Sequence, residues 1–119
     1  MKKLAIFGGI LVLLVAVSGY ELKAHTFAGE ITDGTCANNG VHVMSSPSDN
    51  DSVEAKRKCT IGCVKLGETY VLYNAGTKAI YDLSDQVTPE QYAGEKVLVF
   101  GTLDKSGTMI HVRSIHALS

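Results

Sequence analysis

TYVLYNAGTKAIYDL, residues 69–83, decides the fold. Two runs rich in tyrosine, valine, leucine and isoleucine flank NAGT (74–77), and such runs around a short glycine-containing turn read as a β-hairpin. Downstream, KVLVFGTLDKSGTMIHVRSIHAL (96–118) repeats the arrangement around DKSG (104–107). In its last run the alternation sends Ile110 and Val112 to the core and His111 and Arg113 outward. Upstream, TFAGEITD (26–33) alternates as a strand does, and Gly29 in its middle marks a sharp bend.

Between these strands lie two helical signals. VEAKRKCTIGCVKL (53–66) reads as a helix beginning near Asp51, because Asp51 and Glu54 are spaced as a capping box and Gly67 supplies the stop. Four-residue spacing puts Ala55, Cys59 and Cys63 on one face, with Leu66 beside them. TPEQYAG (88–94) offers Thr88 as N-cap, Pro89 at the first helical position and Gly94 as the end of a turn or two. GTCANNGVHVMSSPSDND (34–51) reads as a long surface loop. The expected fold is mainly β: a small five-stranded OB-like antiparallel barrel with one cysteine-bearing helix between strands 1 and 2 and a short helix between strands 3 and 4. Closure of the sheet removes the edges that make short β chains adhesive.

The first 24 residues, MKKLAIFGGILVLLVAVSGYELKA, have the charged, apolar and polar order of a signal peptide, with cleavage expected after Ala24. Residues 25–119 then form one domain, exported to the periplasm or the extracellular space. The membrane enters only through the leader, were it retained. Its removal takes away three lysines and one glutamate, so the chain's net charge of −1 becomes −3. A mildly acidic domain without a basic run has little to offer a phosphate backbone, and nucleic acid is not an expected partner.

Three cysteines carry the chemistry: Cys36, Cys59 and Cys63. One reading is a disulfide from Cys36 to the helix with one thiol left over, a staple worth ~3 kcal/mol in the chain-entropy model. Cys59 and Cys63 suit each other poorly, since successive turns of one helix project their Cβ atoms in parallel. A second reading is a metal site, with Cys59 and Cys63 chelating one ion while Cys36 and His42 reach it from the loop. Three sulfurs and an imidazole suit zinc, and a sulfur-rich site near Met44 suits copper(I). A third is thiol-redox chemistry, although both helix thiols lie away from the helix start, where the dipole would activate them.

Other side chains point to less. Tyr70, Tyr73, Tyr81 and Tyr92 could stack an oligosaccharide or oligonucleotide, as some OB barrels do, or simply pack across strands. His25 would become the new amino terminus after cleavage, and His111 and His116 lie on the last strand without a second ligand. No serine, histidine and aspartate arrangement and no glycine-rich phosphate loop is recognisable. The chain reads as a non-enzymatic binding or structural module whose partner is a metal ion or another exported molecule.

FAGEITDGTCA (27–37), CTIGCVKLGETYVLY (59–73), AGEKVLVFGTLD (93–104) and IHVRSI (110–115) resemble an uncharacterised family of small exported bacterial proteins expected to be OB-like. In that family a cysteine after the first strand, often with a nearby His-Met pair, precedes a C-T-x-x-C-V helix. The resemblance covers nearly all of residues 25–119 and places Cys36, His42, Met44, Cys59 and Cys63 at the corresponding positions. Here five residues separate Cys36 from His42, and HVM replaces the direct pair. The resemblance implies fold and export and lends no activity.

Overall fold

The computed structural model describes residues 23–39 and 52–118. Strand β1 (His25–Asp33) leads into a short helix α1 (Gly34–Asn38), followed by helix α2 (Val53–Lys65). Strands β2 (Tyr70–Asn74) and β3 (Ala79–Leu83) come next, then a 3-10 helix (Thr88–Tyr92), and finally β4 (Lys96–Leu103) and β5 (Met109–Ala117). The expected leader through position 22 lies outside the described residues. Among those described, no helix is long and apolar enough to cross a membrane.

Both hairpins form where the sequence places them. The first turns through Ala75–Lys78, one residue later than NAGT, and Lys78 rather than Gly76 takes the left-handed conformation. Asn74 holds this turn, its side-chain oxygen accepting from the amides of Gly76 and Thr77. In the second, Asp104 accepts from the amides of Thr108 and Met109, and Gly107 has a positive φ.

Strand β1 is shared. Its first part pairs with β4, from His25 opposite Gly101 to Glu30 opposite Lys96, and its last part pairs with β2, from Glu30 opposite Tyr73 to Asp33 opposite Tyr70. A strand with two successive partners must bend between them. Gly29 permits this, since a Cβ there would lie 2.6 Å from the Tyr73 carbonyl oxygen. The order is β1-β2-β3-β5-β4, and β4 returns to β1, so the sheet closes on itself. The expected all-antiparallel arrangement needs one correction: β3 and β5 run parallel over Asp82 and Leu83 opposite Met109 and Ile110. They are not hairpin neighbours, and the reversal through β4 brings β5 back beside β3 in the same direction.

Ile31, Leu72, Leu83, Val97, Val99, Ile110 and Ile115 fill the interior. Ile110 is buried, Val112 half-buried, and His111 and Arg113 exposed, as alternation requires. A bulge opposite Phe100 and Gly101 resets the alternation so that Ile115 also points in. A smaller cluster of Ala37, Val71 and Tyr73 joins α1 to β2.

The helices differ from expectation in three ways. Residues 34–38, read as loop, form α1. Helix α2 is capped by Ser52, whose hydroxyl accepts from Ala55, and its main contact with the core is made by Ile61 and Val64 rather than the cysteine face; Leu66 is 89% exposed. The short helix is 3-10, with Val87 at the N-cap position and no side-chain cap. Asp85 supplies the acceptor instead, taking the amides of Val87 and Thr88, and hydrogen bonding to Thr88 holds its carboxyl below the usual range.

Close backbone approach makes Gly101 the least replaceable glycine in the sheet, because a Cβ there would lie 2.2 Å from the His111 carbonyl oxygen. Gly101→Ala is expected to cost about 1–3 kcal/mol, as overpacking does. Gly62→Ala, at an exposed mid-helix position with nothing within 4 Å, is expected to stabilise by up to about 1 kcal/mol. Urea unfolding of both variants reads the two signs.

Candidate metal centre

Asp33 builds the first half of the site. It ends β1 in extended conformation, and its Oδ2 accepts from the Cys36 amide at 3.1 Å, so the strand's last residue is the N-cap of α1. Asn38 closes the helix by donating to the Gly34 carbonyl, and Thr35 donates to Glu68 at 2.8 Å, tying α1 to the segment after α2. Ala37 packs in the smaller cluster with Val71 and Tyr73. Cys36, between Thr35 and Ala37, is thereby fixed and only 5% exposed.

Helix α2 builds the other half. Lys56 pairs with Glu30 at 3.2 Å in a largely shielded position, and Arg57 donates to the Gln91 carbonyl. Gly94 lets the helix settle close, since a Cβ at that position would lie 2.7 Å from the Arg57 amide nitrogen. Seated this way, α2 brings Cys59 and Cys63, one turn apart and both half-buried, beside Cys36.

All three Sγ atoms lie within 4.8 Å of one another. Cys36 and Cys59 are 3.7 Å apart, and all three cysteines are free thiols, so the expected staple is not formed. Two sulfurs on a tetrahedral zinc at ~2.3 Å stand ~3.8 Å apart, so the Cys36–Cys59 separation already equals one edge of such a site. His42 and Met44 lie outside the described residues. His25, His111 and His116 are exposed and, among the described residues, belong to no such cluster. Tyr70 and Tyr73 are buried and Tyr81 and Tyr92 half-buried, which spends their faces on packing rather than on an open stacking platform.

The electrostatics oppose free thiolates. Burial, then the adjacent Asp33 carboxylate, then Cys59 push the Cys36 thiol far above its ordinary range. Burial and the charge of Asp33 likewise raise Cys63. An activated redox nucleophile needs the opposite. Asp33 itself is fully buried, and its Oδ1 has no hydrogen-bond partner among the described residues. A buried anionic oxygen without a donor is costly and suits a cation nearby. The alternation of residues 26–33 marks Asp33 only as the end of a strand. The signal that could have revealed it is its place three residues before Cys36, the spacing at which an N-cap side chain meets a backbone amide.

Comparison with protein-family models, curated proteins and solved structures returns no match.

In reduced, metal-free protein, iodoacetamide is expected to modify Cys36 last, with a rate that climbs as pH rises through and beyond the ordinary thiol range. Denaturation should erase the difference, and Asp33→Asn should speed modification of Cys36 and Cys63. Peptide mapping by mass spectrometry gives each rate; Cys36 reacting as fast as a free thiol at neutral pH contradicts the electrostatic account.

Proposed function

We propose that this chain is an exported, non-enzymatic module of OB-like architecture that binds one metal ion, zinc or copper(I), through Cys36, Cys59 and Cys63. The observation that carries this reading is the meeting of three sulfurs from two separately anchored helices within 4.8 Å. Chance pairing of one helix with one loop cysteine is common, whereas three convergent sulfurs match the donor set of soft and borderline ions. The five-stranded closed sheet, with both helices inserted between β1 and β2, supports the OB-like assignment. The leader-like first 24 residues and the family resemblance support export. His42, expected from the spacing, is the candidate fourth ligand.

A second reading rests on the 3.7 Å between Cys36 and Cys59. A shift of under ~2 Å would bring them to bonding distance as a disulfide. This reading leaves Cys63 alone, whereas the metal reading uses all three sulfurs.

Native mass spectrometry of the protein purified without added reductant, with thiols counted after non-reducing denaturation, separates the two. The metal reading expects one ion per chain and three alkylatable thiols after denaturation, with Cys59→Ser losing the ion. One thiol and no ion would replace it by the staple.

Binding should also depend on pH. Because Cys36 and Cys63 hold their protons above the ordinary thiol range, the ion must displace protons on entry. Apparent affinity is therefore expected to rise with pH and to fall on acidification, with proton release measurable by titration calorimetry in buffers of different ionisation enthalpy.

A further inference from the structure

Asp33 is more than a helix cap. Capping requires a single acceptor, and the Oδ2 bond to the Cys36 amide provides it; Asn or Ser would serve as well as Asp. The chain instead buries a carboxylate completely, with Oδ1 unpartnered among the described residues, next to a cluster that becomes anionic when its thiols ionise. Asp33 also lies on the same face of β1 as Ile31, two residues away and part of the apolar core. A lone negative charge at that place is unfavourable unless a positive charge answers it. Lys56 on α2 is committed to Glu30. An ion held by the three sulfurs would supply that counter-charge.

We propose that Asp33 selects the charge class of that ion, making the centre a site for a divalent borderline cation, of which zinc(II) is the type, over monovalent copper(I). This inference rests on the metal-binding reading of the three cysteines. Its logic is Coulombic. With the same three thiolates in place, a neighbouring carboxylate attracts a divalent ion twice as strongly as a monovalent one at the same position. Its unfavourable effect on forming the thiolates is common to both ions and cancels from the ratio of their affinities. A carboxylate oxygen is moreover a fitting outer partner or ligand for zinc(II), whereas copper(I) favours sulfur alone.

The test is therefore a ratio. Zinc(II) and copper(I) affinities are measured by competition with colorimetric chelators, at one pH and under reducing conditions, on the full chain and its Asp33→Asn, Asp33→Ser and Asp33→Glu variants. Circular dichroism melts accompany each titration, and the two neutral caps are compared so that the result does not hang on one variant's folding. The neutral variants are expected to lower the zinc-to-copper affinity ratio roughly 10- to 100-fold, the usual scale for loss of a group supporting a metal site. Asp33→Glu, which keeps the charge, should retain most of the ratio. An unchanged ratio in a folded neutral variant, with both ions still bound by the parent protein, overturns the role of Asp33 and leaves the metal centre standing. Binding of neither ion by the parent protein removes the metal centre itself and this inference with it.

Discussion

The bend of β1 is the constraint on which the rest of the structure depends. A strand that pairs with β4 through Glu30 and with β2 from Glu30 onward has to turn between its two neighbours, and that turn closes the five strands into a continuous sheet. The missing side chain at Gly29 admits the Tyr73 backbone at the bend. The same geometry delivers the end of β1, Asp33, to the margin of the core, where its side chain starts α1 and fixes Cys36. Fold closure and construction of the thiol cluster are thus consecutive consequences of one strand's path.

The second requirement is the seating of α2. Its apolar contribution is modest, chiefly Ile61 and Val64 against the interior, so polar anchors set its position: Lys56 with Glu30 and Arg57 with the Gln91 carbonyl. Gly94, at positive φ beneath the helix, removes the side chain that would push it away. These contacts leave the cysteine face beside the core rather than within it. A thiol fully enclosed by apolar residues would be inert packing, whereas half-buried thiols at the edge of the core can still meet an ion.

Much of the architecture is legible because its signals are local. The two hairpins, the β5 alternation and the stop at Gly67 depend on residues adjacent in the chain. The errors arise where a side chain from elsewhere in the local sequence wins: Ser52 caps α2 in place of Asp51, Asp85 holds the turn expected to be capped by Thr88, and Asp33 converts the start of the expected loop into α1. Each involves small polar residues competing for the same few amides, a competition decided by differences on the order of 1 kcal/mol. Leu66 fails for another reason: it is the C-cap of α2, where the helical direction that would have aligned it with Cys63 is already lost.

By itself the sequence determined the strands, the cysteine-bearing helix and the pairing of Cys59 with Cys63 on one face, because hydrogen-bond periodicity and turn chemistry act over a few residues. It also named the three sulfurs and left a staple and a metal site both open, with redox chemistry disfavoured because the helix thiols lie away from the helix start. Only the tertiary structure decided that Cys36 meets both helix thiols at once, that β3 and β5 run parallel, and that a buried carboxylate stands behind the cluster. Those facts depend on a strand shared between two partners and a helix held by residues from two other segments, β1 and the stretch around Gln91 and Gly94. Such long-range relations are set by burial and closure of the whole chain, and no short stretch of sequence encodes them.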